Sequence, residues 1–303
     1  HDWWAKVVTP FFQEIAHIPF WSYDPRNSTE INKKSNALAQ TIDLGPTILD
    51  YFDIPLTEDM QGKAIFDFIE DDKEIRKASL YGVMGGQVNV TDGQYVYMSA
   101  TTTEDNKPLF DYTLMPTHMK NRFSPRELQE WEKVEGFSFM KGCKVMQIPT
   151  RSFPIFSAKD NPLGRGRTAT LLFDVKNDPG QTKPLNDVHV EKRMIELMIR
   201  EMARNECPSE QYIRLGLPEP KRLGKGHGDD MIQMPSDKDI EDSCVLDKTQ
   251  GIEAAEHGAE GFPKMPFKDI FWEGEKTLRS TVFTDNLKLR PGYLISQSEK
   301  SEE

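Results

Sequence analysis

The stretch from Val188 to Arg204 constrains the fold more than any other part of the chain. Val190, Met194, Leu197, Met198 and Met202 recur at helical spacing, so one face of this helix is apolar. Glu206-Cys207-Pro208 ends it. Such a face is stable only against a second apolar layer, and the sequence supplies a sheet. Ala78 to Met84 alternates in part. Gln87–Val90 and Gln94–Ser99 flank Thr91-Asp92-Gly93, and Asp-Gly between two such runs predicts a hairpin. Ala169 to Val175 reads as a further strand, closed by the turn Asn177-Asp178-Pro179-Gly180. The expected unit runs from about Ala37 to Leu217, an antiparallel sheet with the Val188–Arg204 helix across it.

The remaining segments are shorter. Thr9 to His17 reads as a helix with Phe11, Phe12, Ile15 and Ala16 on one face. Ile18 to Pro25 is mostly apolar and predicts a buried strand punctuated by its prolines. Thr41 to Phe52 is helical, with Pro46 in its first turns. Ser124 with Glu127 three residues on predicts a capped helix start. From Pro218 to Glu303 glycine, proline and charge dominate, the pattern of an extension that packs in pieces.

Several function classes are excluded or weakened. The 303 residues are 37% hydrophobic and 29% charged, enough for a packed core. The net charge of −11 argues against nucleic-acid binding, which needs neutralised phosphates, but leaves room for a local cationic pocket. No run approaches the roughly 18 apolar residues of a membrane span. Three scattered cysteines make neither a disulfide framework nor a zinc cage, and they leave cytoplasmic, periplasmic and secreted locations open. There is no phosphate loop of the Gly-x4-Gly-Lys type, no His-Glu-x-x-His and no Gly-x-Ser-x-Gly elbow. Gly164-Arg-Gly-Arg167 and Gly224-Lys-Gly-His-Gly228 are read as solvated turns.

A series of ordered markers carries more information. They are His1-x4-Lys6, Phe12-Gln-Glu-Ile-Ala-His17-Ile-Pro19, Gln40-Thr-Ile-Asp43-Leu-Gly-Pro46-Thr-Ile-Leu-Asp50-x3-Ile54-Pro55, Met60-Gln-Gly62, and Leu172-Phe-Asp174-Val-x2-Asp178-Pro179. In this order and spacing they resemble the C-terminal half of the sulfatase family, within the alkaline-phosphatase-like superfamily. The resemblance covers roughly residues 1 to 217. It implies an α/β fold, with the last helix–strand piece of the catalytic domain's large sheet at 1–36. A smaller α+β subdomain with an antiparallel sheet and a packed C-terminal helix is implied at 37–217, leaving 218–303 as an extension.

The resemblance also implies an activity, the hydrolysis of sulfate esters on a sulfated small molecule or glycan. Family members use a formylglycine made in a Cys/Ser-x-Pro-Ser-Arg motif. Their calcium is held by an early Asp-Asp pair and a later Asp-Asn or Asp-His. None of these motifs occurs here, and Cys207-Pro-Ser-Glu210 lacks both the Arg and the position. The expectation is a sulfatase portion, inactive alone, whose partner is the N-terminal half of the same protein. Calcium belongs to the intact enzyme, with none expected to be held by this chain alone. The alternatives are a phosphate or phosphonate ester hydrolase of the same superfamily, and a non-catalytic binding or assembly module. A strand at residues 18–25 without sheet neighbours has open edges and is an association hazard. Either an upstream segment or a rearrangement of the first ~25 residues is expected there.

Candidate residues follow from the markers. By resemblance Lys6 reaches the sulfate, where its ammonium stabilises charge on the non-bridging oxygens. His1 matches the family histidine that can donate to substrate or leaving group. His118, Lys120 and Arg122 lie in an insertion expected to lend a substrate-recognition loop. His17 is expected to be a hydrogen-bonded core imidazole. Asp43 and Asp50 are read as caps and helix-face carboxylates, Asp174 and Asp178 as turn residues, and the helix methionines as core. Trp3 and Trp4 are packing residues or pocket walls. Asn27-Ser-Thr29 and Asn89-Val-Thr91 fit the glycosylation sequon.

Overall fold

A computed structural model describes residues 12–27, 34–66, 73–103, 106–115, 117, 122–150, 170–224 and 229–246. Within these, the chain runs through helix α1 (Gln13–Ala16), α2 (Leu44–Tyr51), strands β1 (Ser79–Gly82), β2 (Val88–Thr91), β3 (Tyr95–Ser99), β4 (Phe110–Thr113), β5 (Glu132–Val134), β6 (Val145–Pro149) and β7 (Leu171–Asp174). Helices α3 (Val188–Arg204) and α4 (Ser209–Leu215), strands β8 (Lys221–Arg222) and β9 (Ile232–Gln233), and helix α5 (Asp237–Asp242) complete it. Helices and antiparallel sheets are mixed, and each sheet is antiparallel throughout.

The main sheet has the order β1-β2-β3-β7. Its β2–β3 hairpin turns at Asp92-Gly93-Gln94. Asp92 Oδ1 accepts from the N–H groups of Gln94 and Tyr95, and Gly93 takes φ 88°, a conformation glycine adopts freely. Helix α3 lies across one face. Asp187 caps it by accepting from the N–H groups of His189 and Val190. Its inner stripe is Met194, Ile195, Met198, Ile199 and Met202, packed on Ala78, Val90, Tyr97 and Leu172. The stripe is turned slightly from the sequence expectation, because Val190 and Leu197 lie at its margin while Ile195 and Ile199 take the centre. Alternation along β3 and β7 sends Val96, Met98, Leu171 and Phe173 to the opposite face, where Phe12 meets Phe173 edge-on at 6.1 Å.

Three expectations are corrected. Residues 18–25 form no strand: they run unpaired and exposed into a 3-10 turn at Pro25–Asn27. Pro19 and Pro25 remove two ladder donors, and no described strand lies beside this segment. His17 is exposed rather than a core imidazole, since it stands just past the end of α1. The Ser124–Glu127 capping box does form, with Ser124 N–H donating to Glu127 at 2.6 Å, yet only turns follow it. Residues 124–130 bury no apolar stripe, and a helix this short needs one.

A second sheet, β4-β6-β5, is built from the insertion between β3 and β7. Residues beyond Leu217 also contribute to the core. Ile240, Cys244 and Leu246 are buried in the same cluster as α3 and the main sheet. Among the described residues no helix is long and apolar enough to cross a membrane.

Candidate functional site

Of the five candidate site residues, His1, Lys6, His118 and Lys120 lie outside the described residues, as do Trp3 and Trp4. Arg122 is described: it is exposed, and its backbone bridges to Thr117. The described structure therefore brings no two of the five together. It does show what Asp43, Asp50, Asp174 and Asp178 do.

Asp43 is fully buried at the start of α2. Its carboxylate accepts from Gln40 N–H (2.7 Å) and Lys63 N–H (2.9 Å), and from both terminal nitrogens of Arg76 at 2.6 Å. Burial works against the charged form, but the Arg76 guanidinium and the two backbone donors outweigh it, so the carboxyl sits below its usual range. Gln40 in turn donates to Leu80 O on the sheet edge, and Thr47 links Asp43 O to Ile65 N–H. Gly62 packs so closely on the Ile42 carbonyl that a Cβ has no room there. The marker Asp43…Gly62 is thus a brace joining α2 to the sheet. Asp50 is an exposed helix-face residue.

Asp174 accepts from the N–H groups of Lys176 and Asn177, from the Asn177 amide and from the Gln94 amide of the β2–β3 hairpin, and Asp178 from the Thr182 hydroxyl and Lys183 N–H. The turn is further tied to α1, because Gln181 accepts from Gln13 N–H at 2.6 Å. Both carboxylates hold their own turn, as expected for Asx geometry, and Asp174 also ties it to the β2–β3 hairpin through Gln94.

Calcium binds six to eight oxygens, several of them from carboxylates. The buried carboxylates described here already face N–H donors, and among the described residues no group of three potential ligands converges. The described donor set does not suit calcium.

Sequence reasoning passed over three buried polar centres. Arg76 is the partner of Asp43. Glu191 interrupts the α3 stripe one turn before Met194 and Ile195. It accepts from Tyr97 OH (3.2 Å) and from the N–H groups of Val245 (2.9 Å) and Leu246 (3.2 and 3.3 Å). Burial, reinforced by the Glu191 charge, raises the Tyr97 phenol well above its usual range. Arg214, only 2% exposed, donates to Gly86 O (3.0 Å), Asn106 Oδ1 (2.9 Å) and Gln211 Oε1 (2.9 Å), and burial pulls it down to about 10. A charged residue inside an apolar period is the one signal by which Glu191 is findable.

A cleft of about 540 Å³ runs along the outer side of α3, lined by Glu74, Lys77, Asp92, Arg193, Glu196 and Arg200 among others. Arg193 pairs with Asp92 at 2.7 Å and lies 5.3 Å over the Tyr95 ring. Its charges are of mixed sign, and none of the candidate residues lines it.

Two sequence signals are closed by burial. Asn89 is wholly buried and donates to Tyr81 O, so its sequon is not an acceptor in the folded chain. Burial pushes the Cys207 thiol up to about 12, the opposite of an activated nucleophile. Cys244 is buried and Cys143 exposed. A disulfide reagent at mildly alkaline pH is expected to modify one thiol per folded chain quickly, that of Cys143. Fast modification of a second thiol would contradict this burial.

No protein-family model matches the chain, and no curated protein does.

Proposed function

We propose that this chain is the C-terminal part of a sulfatase, contributing to the hydrolysis of sulfate esters with the nucleophile and metal ligands supplied by polypeptide outside it. The observation that carries the reading is the placement of the family-like markers on one scaffold. Asp43…Gly62 braces α2 against the sheet, and Leu172…Pro179 closes β7. Helix α3 follows β7 in the chain and covers the sheet, an arrangement that supports this reading.

In this reading Lys6 contributes the chemistry of the chain. A sulfate monoester carries charge on its non-bridging oxygens, and more gathers on the leaving oxygen as the S–O bond breaks. The Lys6 ammonium stabilises the transferred group, and His1 donates to substrate or leaving group. His118, Lys120 and Arg122 form the recognition loop for a sulfated small molecule or glycan. A phosphate or phosphonate ester is the alternative substrate within the superfamily.

The test begins with the coding sequence before His1. The reading requires there a Cys/Ser-x-Pro-Ser-Arg motif and paired aspartates. A Thr or Ser without that motif would favour a phosphoryl substrate, and absence of both would overturn the reading. In the extended enzyme, Lys6→Ala is expected to lower kcat for an aryl sulfate by roughly tenfold or more. An unchanged rate removes Lys6 from the site.

A further inference from the structure

Helix α3 ends in a turn whose central residue is out of type. Glu206 N–H bonds to Ala203 O (3.1 Å) and Cys207 N–H to Met202 O (2.9 Å), the paired closure of a Schellman motif. The left-handed position of that motif usually takes glycine, because a Cβ is strained there. Here it holds Glu206 at φ 54°. The side chain shows what the strain supports. Its carboxylate accepts from the Ser138 N–H (2.8 Å) and from the Ser138 hydroxyl, on the second sheet's side of the molecule. Arg222 stands 3.9 Å from the same carboxylate and donates to Ala203 O. At the start of α4, Glu210 accepts from Tyr112 OH at 2.6 Å, and Gln147 donates to that hydroxyl at 2.7 Å.

The β4-β6-β5 sheet has a core of its own. Leu109, Val145 and Ile148 are buried, yet none belongs to the apolar clusters on either face of the main sheet. Phe137 stacks on Phe139 at 5.5 Å and meets Tyr112 edge-on at 5.3 Å. The chain entering this sheet is fixed at its root. Thr102 N–H donates to Arg214 O at 2.9 Å, and the buried Arg214 guanidinium donates to Asn106. Beyond the root, bonds to the body run to carboxylates: Glu206, Glu210, and Asp59, which pairs with exposed Lys141 at 2.8 Å. Polar bonds of this kind are exchanged for water at small net cost, whereas a shared apolar core is not.

We propose that the β4-β6-β5 sheet is an arm that swings about residues 106–109 and is latched to the α3–α4 turn by Glu206 and Glu210. Latched and released states differ chiefly in polar bonds, so both are populated, and a ligand that prefers one of them selects it. The arm carries Arg122, so the latch sets where that exposed cation stands relative to the body. A glycine at position 206 would relax the turn but could not hold Ser138, and this is the reason a glutamate occupies a glycine's place. The inference does not depend on the sulfatase reading.

Distances between two nitroxide labels on the whole chain test this. One label sits on Cys143, the exposed thiol of the arm, and the other on Ile213→Cys, 63% exposed on α4. Glu206→Gly/Glu210→Ala is expected to raise the population of released-arm distances at least about tenfold over the labelled parent. Ser138→Ala/Tyr112→Phe removes the donors on the arm, leaves the α3–α4 turn untouched, and should shift the same distances in the same direction. Glu206→Gly alone should melt no lower than the parent, since glycine is unstrained at that position. A distance distribution unchanged in both double variants overturns the proposal. So does a Glu206→Gly chain that melts lower with its arm still in place, which would make Glu206 a brace of α3 rather than a latch.

Discussion

Asp43→Ala should destabilise the chain by roughly 3–5 kcal/mol, the range found when one partner of a buried ion pair is removed. The substitution leaves Arg76, 9% exposed, with a full charge and no carboxylate at Asp43's place. It also strips the acceptor from the N–H groups of Gln40 and Lys63. Arg76→Met leaves the opposite charge stranded and should cost about as much. The double variant should cost clearly less than the two losses added, since neither charge is then left alone in the interior. Urea unfolding of the three variants measures this; an Asp43→Ala loss below about 1 kcal/mol would mean that solvent reaches the pair.

The same group sets an acid limit. The folded Asp43 carboxyl lies below its ordinary value, so its contribution is present above the unfolded-chain value of about 3.9. It is lost as pH falls from there through the folded value. The acid-dependent part of unfolding should therefore shrink in Asp43→Ala, although the variant is less stable at neutral pH.

The sheet and its helix were legible because two periods stand out without help from the rest of the chain. The alternation around Asp92-Gly93 predicts β2 and β3, and the 3.6-residue recurrence predicts α3 at its observed bounds. The strand expected at residues 18–25 fails because apolar content alone does not distinguish a buried strand from an exposed segment. That difference depends on whether a neighbouring strand exists. Ser124–Glu127 carried a correct local signal, and its box formed, but no tertiary surface was there to extend it into a helix. Asp43 does act as a capping residue, but for the preceding 3-10 turn, where it accepts from Gln40 N–H; it makes no side-chain cap bond to α2. Arg76, 33 residues away, was not legible as its partner, because only the folded chain brings the two together.

The candidate site was less legible than the fold for a different reason. Asp43, Gly62, Asp174 and Asp178 carry the resemblance by their order, yet each of these residues holds backbone in place. A turn or a close approach requires such residues, so they report architecture rather than reacting groups. In the proposed reading the chemistry is assigned to Lys6 and His1, which lie outside the described residues, by position in the series alone.

Glu191→Ala should have the second large effect, and a local one. Glu191 is a buried carboxylate that satisfies two consecutive backbone donors, Val245 and Leu246 N–H, and the Tyr97 hydroxyl. Each donor left unsatisfied costs about 1–3 kcal/mol, so a total loss of roughly 3 kcal/mol or more is expected if the segment stays in place. The segment has a cheaper response. Residues 243–246 belong to no strand or helix, and their hold on the core is Cys244, Leu246 and the preceding Ile240. Releasing them returns the two N–H groups to water at the expense of that apolar burial. Hydrogen exchange separates the outcomes: amides of residues 240–246 should exchange far faster in Glu191→Ala than in the wild-type chain, while those of β2 and β3 change little. Tyr97→Phe, which removes only the phenol, should leave 240–246 protected and cost about 1 kcal/mol. If instead 240–246 stays protected in Glu191→Ala, apolar packing alone anchors the segment. The buried carboxylate would then be a burden carried by the fold rather than its fastening.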